Sequence, residues 1–299
     1  MNDPMNWPIP DEHPATLQRF LSPKDMARVI GVSESSLKRW VDEGRLKAVR
    51  TAGGHRRIAA KEALGFMRRE GYPIKDPRPL GMAPAPSSDR TLDDHLHELL
   101  KNGDLARARA LVVQAFSNGM RMHELADGPI RTSLERIGTL WSHGTDGIAT
   151  EHMATDTLLQ AVLTIRLMMA EPGPTAPVAI GGAPSKDPYI LPSLCCATIL
   201  QEAGFDSINL GPDTPLEALQ SQVAKRNPRL IWLAVSTEEA ALALKAPLRK
   251  LLGDLTAHGA HLVVGGRNAH LLGLEPRPRL VLSRTLGEVA AFARGLIGG

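Results

Sequence analysis

The chain has 299 residues, of which 43% are hydrophobic and 22% charged, and its net charge is +3. These values are ordinary for a globular protein, and the length predicts two or three domains. No apolar run is long enough to span a bilayer, and the first 20 residues lack the order of a signal peptide, so we expect a cytoplasmic protein without membrane contact. The two cysteines, Cys195 and Cys196, are adjacent, which excludes a disulfide framework and a spaced metal site.

Residues 1–20 contain four prolines and are predicted to be a flexible N-terminal segment. A helix is then predicted from Glu34 to Val41. Ser33 is a suitable N-cap, because its hydroxyl can accept a backbone N–H from the first turn. One face of this helix is apolar at helical spacing and is expected to be buried: Leu37, Trp40 and Val41. The opposite face carries short polar or cationic side chains: Ser35, Ser36, Lys38 and Arg39.

A basic hairpin is predicted after this helix. Residues 46–50 alternate like a strand, residues 51–54 suit a turn because glycine tolerates positive φ, and residues 55–58 return as the second strand. A helix followed by a cationic tip is a shape that meets a DNA groove and its flanking phosphates. We expect Ser35, Ser36 and Arg39 of the helix to lie closest to base edges or backbone. The residues expected mainly to hold phosphates or reach the minor groove are Lys38, Arg50, Thr51, His55, Arg56 and Arg57.

The positive charge is concentrated in this region. Residues 22–69 contain 12 Lys and Arg against 5 Asp and Glu, a net charge of +7, whereas the whole chain carries +3. Such a local excess is the electrostatic footprint of a module that binds phosphate. Residues 22–69 resemble the winged helix-turn-helix of the MerR family, and most closely its excisionase-like branch, on the wing sequence from Arg50 to Arg57. The resemblance implies sequence-specific binding to a double-stranded DNA operator.

The rest of the chain divides by composition and periodicity. Residues 21–75 are predicted to form the DNA-binding domain. Residues 76–90, which are rich in Pro, Ser and Gly, are predicted to be a semi-extended linker that tethers this domain loosely. Residues 91–171 predict four helices, the third starting near Asp127, and therefore a four-helix bundle. Residues 177–299 alternate five short apolar strands with helices, which predicts a flavodoxin-like, doubly wound parallel sheet. In such sheets a ligand binds at the carboxyl ends of the strands.

This domain order resembles the cobalamin-binding transcriptional regulators of the CarH and LitR type, from Ser22 to Gly298. In that family the bundle and the α/β domain hold a corrinoid between them, and light or ligand changes the oligomer and releases DNA. The resemblance thus implies a homo-oligomer and a candidate photoreceptor. It also implies cofactor-binding roles for residues that match the family's bundle motif, second loop and double glycine: Trp141, Glu151, His152, Gly211, Thr214, Gly265 and Gly266.

The chain departs from the family at the lower axial ligand. In the family a histidine of a D-x-H-x-x-G loop follows the first strand, and here Pro188 stands at that position, with Lys186 and Leu191 in place of the Asp and the Gly. Proline has no group that can ligate cobalt. A later S-x-L motif falls on residues 233–235 and lacks its serine. Tyr189 and the two cysteines are the nearest groups that could coordinate a metal or attach a chromophore.

Three hypotheses remain for the C-terminal half. It binds cobalamin without the lower histidine, it binds another tetrapyrrole such as haem or a linear bilin, or it binds no cofactor and is an assembly module for dimers or a protein partner. A different class, a cobalamin-dependent enzyme or corrinoid carrier of the mutase or methyltransferase type, is the alternative. The missing histidine, the lack of a separate catalytic domain and the DNA-binding module count against it. No catalytic residue and no metal ligand are assigned, and we expect a regulator rather than an enzyme.

Overall fold

The computed structural model describes residues 19–82, 91–139, 145–256 and 259–298. Residues 19–82 form the head, in which three helices pack against an antiparallel sheet of strand order β1-β3-β2. Its elements are β1 Phe20–Leu21, α1 Pro23–Ile30, α2 Glu34–Asp42, β2 Val49–Arg50, β3 Arg56–Ala59 and α3 Ala60–Glu70. Because Phe20 pairs with Ala59, the prediction of a flexible segment reaching residue 20 is wrong at that residue.

Local capping and an aromatic cluster explain the shape of the head. Ser22 accepts the backbone N–H of Asp25 at 3.1 Å and forms a capping box at the start of α1. Trp40 of α2 is buried, and its ring centroid lies 5.3 Å from that of Phe66 and 5.2 Å from that of Tyr72. These contacts hold the buried face of α2 against α3 and leave its other face free.

The first half of the predicted linker is folded against the head. The backbone N–H of Lys75 donates to the carbonyl of Val29 at 2.7 Å, and Leu80 and Met82 are buried. Hydrogen bonds from Arg78 lower the pKa of Asp76 to about 2. The prediction of a loose tether is therefore wrong for residues 76–82, because apolar side chains at its end find a core to enter. Residues 83–90 lie outside the described ranges.

The helical domain contains a break that the periodicity did not reveal. Its helices are α4 Leu92–Lys101, α5 Leu105–Ser117, α6 Met122–Leu125, α7 Arg131–Gly138 and α8 Thr145–Met168. Between α6 and α7 the chain forms a wide turn in which Gly128 has non-helical dihedral angles (φ −98°, ψ −108°) and Pro129 follows. Proline cannot donate the helical hydrogen bond, so the predicted third helix begins at Arg131 rather than near Asp127. A separate short helix, α6, precedes the turn.

The C-terminal domain is the predicted doubly wound sheet. Its elements are β4 Val178–Gly182, α9 Ile190–Glu202, β5 Asp206–Asn209, α10 Leu216–Arg226, β6 Leu230–Ala234, α11 Glu238–Thr256, β7 His261–Gly265, β8 Leu280–Ser283 and α12 Leu286–Gly298. All strand pairs are parallel, in the order β5-β4-β6-β7-β8, which confirms the flavodoxin-like topology. Helices α9 and α12 cover one face and α10 and α11 the other, so the central strand β6 is wholly apolar and buried.

The three domains are packed together. A continuous apolar cluster runs from the head through the bundle and into α9 and α12. The backbone N–H of Ile74 donates to the side chain of Asn118 at 2.9 Å, which fixes the end of the head to α5. Within the described ranges, no helix combines the length and the apolar character needed to cross a membrane.

Candidate DNA-binding surface and ligand cleft

The four predicted residues of α2 lie on the outer part of the head. The hydroxyls of Ser35 and Ser36 lie 2.8 and 2.9 Å from the Ser33 hydroxyl. The same hydroxyl caps the helix by accepting the backbone N–H of Ser36 at 3.2 Å. Lys38 pairs with the Glu34 carboxylate at 3.0 Å, and Arg39 lies 3.8 Å from Glu43. Such exposed pairs one helical turn apart contribute about 0.2–0.5 kcal/mol each. Both cations can therefore exchange these partners for a phosphate at little cost.

The predicted wing is a tight hairpin whose turn is closed by Thr51 and His55. The backbone N–H of Thr51 donates to the carbonyl of His55 at 2.9 Å, and the N–H of His55 donates to the Thr51 hydroxyl at 3.2 Å. Gly54 has a φ of +76°, a conformation that glycine adopts without strain. The Thr51 hydroxyl is thus used inside the turn, and the His55 ring and the neighbouring arginines remain as the groups around the tip.

The arginines of the wing fall into two groups. Arg56 forms an ion pair with Asp42 at the end of α2, and its side chain is only 21% exposed. Arg50 and Arg57 have no ion-pair partner within the part of the chain that the structure describes. That all three arginines meet DNA stays a prediction. The structure adds that Asp42 holds Arg56, whereas Arg50 and Arg57 are open cationic positions.

This division predicts different salt dependences for single variants. Arg56→Ala should weaken DNA binding several-fold, because the wing loses its attachment to α2, without changing the slope of log K against log salt. Arg57→Ala should reduce the magnitude of that negative slope by about 1, since one phosphate contact no longer releases a counterion. Fluorescence anisotropy titrations at several salt concentrations measure both. If the magnitude of the slope falls equally in both variants, Arg56 also contacts phosphate.

A large cleft lies between the bundle and the carboxyl end of the sheet. Its volume is about 1240 Å³, above the range of roughly 300–1,000 Å³ that is usual for small-molecule sites. The bundle wall comes from the turn before α7, from α7 and from α8, and the sheet wall comes from α9 and the ends of β6, β7 and β8. From there the cleft continues between the sheet and helices α9 and α12, lined by Cys195, Cys196, Trp232, Val263 and Val289.

Two polar contacts hold the bundle in place over the sheet. The Asp127 carboxylate, in the turn before α7, accepts the backbone N–H of Leu286 at 3.0 Å and that of Gly287 at 2.8 Å. It therefore caps the N-terminus of α12 with a negative charge from another domain. Arg166 of α8 donates to the carbonyl of Ser207 and, at 2.9 Å, to its hydroxyl.

Three of the predicted cofactor-binding residues line this cleft. Glu151 lies on the bundle wall, where its side chain is 19% exposed and accepts the Thr155 hydroxyl at 3.2 Å. Gly265 and Gly266 lie on the sheet wall. His152 is outside the lining, with a side chain that is 72% exposed, and Gly211 and Thr214 are outside it as well. Trp141 lies outside the described residues.

The double glycine is also explained by the packing of the chain itself. Gly266 has a φ of +108°, and a Cβ built on it would lie 2.4 Å from the carbonyl oxygen of Val235. A Cβ on Gly265 would lie 3.0 Å from the carbonyl oxygen of Ser283. Any side chain at Gly266 would collide with the end of β6, so this glycine is required whether or not a ligand approaches.

The loop after β4 is braced by a buried carboxylate that sequence reasoning missed. Asp187 is fully buried, accepts the backbone N–H of Tyr189 at 3.2 Å and also accepts the backbone N–H of Ser236 after β6. Pro188 is exposed beside it. The signal in the sequence was only a lone Asp next to the degenerate motif, and its partner stands 49 positions away.

The cysteines are poor candidates for the attachment of a chromophore. Burial raises the pKa of the Cys195 thiol to about 12 and raises the pKa of the Cys196 thiol as well. Thiols of such high pKa stay protonated near neutral pH, whereas the thiolate is the nucleophile and the metal ligand. Both thiols are therefore best described as apolar lining of the cleft.

Comparisons with known proteins agree with this architecture. A helix-turn-helix domain model matches residues 20–70, and a B12 binding domain model matches residues 92–165. Among solved structures, the monomethylamine corrinoid protein of Methanosarcina barkeri is similar in fold, with a TM-score of 0.53, 15% identity and coverage of 69% of this chain and 98% of that one. The protein is thus a helix-turn-helix transcriptional regulator with a B12-binding-type region.

Within this class, the chain is similar to one characterised repressor over most of its length. It is 24% identical over 259 residues to the HTH-type transcriptional repressor CarA of Myxococcus xanthus, and the match covers 78% of this chain and 86% of the repressor. The predicted combination of a DNA-binding head with an effector region of this kind is therefore confirmed.

Proposed function

We propose that this regulator binds a double-stranded DNA operator through α2 and the wing, and that a cobalamin-type corrinoid in the cleft controls this binding. The cleft carries the proposal. It lies at the carboxyl end of a parallel sheet, where ligands of such folds bind, and it is large enough for a macrocycle. Its continuation between the sheet and α9 can take an extended tail, and the apolar side chains there exclude water.

The polar groups of the walls favour a corrinoid over haem. Both signs of charge are present, with Glu135 and Glu151 on the bundle wall and Arg131 and Arg267 among the cations. A corrin carries neutral carboxamides around its rim, which need donors and acceptors together. Haem instead presents carboxylates, which bind best to a cluster of cations. A mixed lining suits the carboxamides.

The loop after β4 does not supply an axial imidazole, because Pro188 stands there and the neighbouring Asp187 is used by backbone groups. We infer that the corrinoid is held by the two walls and by the apolar continuation of the cleft between the sheet and α9, rather than by this loop. When bound, it would supply a rigid planar group with a ligand-sensitive cobalt centre. The residues of the chain would bind and orient it and exclude water, and its presence would change how the bundle packs on the sheet.

We also propose that the DNA-bound form is a homo-oligomer, since a single head offers few cations to phosphate. The test of the whole proposal uses the full chain, incubated separately with hydroxocobalamin, adenosylcobalamin, haemin and biliverdin. We expect stoichiometric binding of a cobalamin alone in equilibrium dialysis, and a changed affinity for a DNA fragment selected with the protein. A protein that binds DNA but none of these compounds would contradict the proposal and favour an assembly module without cofactor.

A corrinoid carrier or cobalamin-dependent enzyme is the second candidate, because the fold is shared with the corrinoid protein of Methanosarcina barkeri. The two candidates differ in what the loaded protein does. A carrier should transfer the methyl group of bound methylcobalamin to an added thiolate, giving the methyl thioether, in the absence of DNA. A regulator should show no such turnover in the dark, and its DNA affinity should depend on the ligand.

A further inference from the structure

One residue on the wall of the cleft carries a buried hydroxyl that has no hydrogen-bond partner within the described part of the chain. The Oγ atom of Ser236, just after β6, is buried and unpaired within the described part of the chain, although the residue lines the cleft. A buried hydroxyl without a partner costs about 1–3 kcal/mol. The fold tolerates this cost at a position beside the cleft, so we expect the missing partner to arrive with the occupant of the cleft.

The backbone of Ser236 is fixed from both sides. Its N–H donates to the carboxylate of Asp187, and its carbonyl accepts the side-chain N–H of Asn268 at 2.6 Å. The hydroxyl can therefore move only by rotation about χ1. The chain thus holds an unpaired hydroxyl in place while satisfying the groups around it, the arrangement expected of a preorganised contact.

A second residue on the same wall, Tyr189, is held at its backbone by the same carboxylate. Tyr189 lines the cleft, is 47% exposed, and its phenol has no hydrogen-bond partner within the described ranges. Its backbone N–H donates to the other oxygen of Asp187 at 3.2 Å. Asp187 therefore links the ends of β4 and β6 and brings together two residues that are far apart in the sequence.

We propose that Ser236 and Tyr189 are hydrogen-bonding contacts for a carboxamide of the ligand, and that Asp187 is the positioning residue for both. This inference rests on the proposed function. A hydroxyl both donates and accepts, and a carboxamide offers both partners. The Asp187 carboxylate lies directly behind the two residues and disfavours a carboxylate or phosphate as their partner.

The test compares two buried, unpaired serine hydroxyls in the full-length protein. Ser236→Ala should raise the Kd for hydroxocobalamin about tenfold, which corresponds to ~1.4 kcal/mol for one lost hydrogen bond. The Tm of the ligand-free protein should stay unchanged or rise, because an unsatisfied group is removed. Ser133→Ala is the matched control, since the Ser133 Oγ is equally buried and unpaired but lies on α7 outside the lining. It should leave the Kd unchanged.

Two further variants complete the test. Tyr189→Phe keeps the ring and should raise the Kd several-fold with an unchanged Tm of the ligand-free protein. Asp187→Asn should lower that Tm as well as the affinity, because two backbone N–H groups lose a charged acceptor. Equal Kd values for wild type and Ser236→Ala would overturn the inference while leaving the proposed function intact. Failure of the wild type to bind cobalamin would overturn both.

Discussion

Replacing Arg68 by methionine should lower the free energy of unfolding by about 3 kcal/mol, as expected when one partner of a largely buried ion pair is removed. Arg68, on α3 of the head, lies over the ring of Phe116 with its guanidinium carbon 3.5 Å from the centroid. It also donates to the carbonyls of Phe116 and Met120 and pairs with Glu202 at the end of α9. The variant leaves Glu202, which is 11% exposed, without this partner.

Chemical unfolding of the full chain measures this effect. Arg69→Met is the matched control, because Arg69 is the next residue of the same helix, is exposed and loses the same charge. It should change the free energy of unfolding by less than about 0.5 kcal/mol. Adding Glu202→Gln to Arg68→Met should recover part of the loss, because the half-buried carboxylate is then neutral and no longer depends on Arg121 at 3.7 Å and the backbone N–H of Met122 alone. Equal effects of Arg68→Met and Arg69→Met would show that the head does not dock through this contact.

The double variant Arg50→Ala with Arg57→Ala should weaken DNA binding about a hundredfold on every sequence, at about 1.5 kcal/mol for each lost charged contact. The magnitude of the negative slope of log K against log salt should fall by about 2, because two phosphate contacts are lost. Neither arginine has an ion-pair partner within the described ranges, so the fold of the head should persist.

The control for this variant removes the same charge elsewhere. Lys225→Ala with Arg226→Ala changes two exposed cations in the last turn of α10, in the C-terminal domain. Its salt slope should equal that of the wild type. Circular dichroism of all variants checks that the head remains folded. If the Arg50 and Arg57 variant kept the wild-type slope, the wing would not contact phosphate.

The head shows how far local signals reach. The N-cap at Ser33, the apolar stripe of α2 and the glycine-tipped hairpin are short-range features, and the structure has each of them. The division among the wing arginines was not predictable, because it depends on Asp42 at the end of another element. Residues 76–82 were mistaken for a linker since composition describes loops well but does not show whether Leu80 has a core to enter.

In the cleft, local signals did not suffice to identify the lining residues. Glu151 and His152 are adjacent in sequence, but successive helix positions point about 100° apart, so one lines the cleft and the other faces solvent. Gly266 was singled out for cofactor binding, which stays a prediction, and the structure shows that the backbone of Val235 leaves no space for a side chain there. The rule that ligands bind at the carboxyl ends of parallel strands points to the loop that contains Ser236. Neither Ser236 nor Asp187 was singled out as a site residue, because neither belongs to a motif.

By itself the sequence determined the parts of this protein that depend on neighbours along the chain. These are the basic winged head, the helical region and the alternating strands and helices, since capping, periodicity and charge density are local properties. Only the tertiary structure decided how these parts act together. The ion pair of Arg68 with Glu202 and the contact of Asp187 with Ser236 join residues more than 40 positions apart. No local pattern encodes such pairs, because they exist only once the domains have packed.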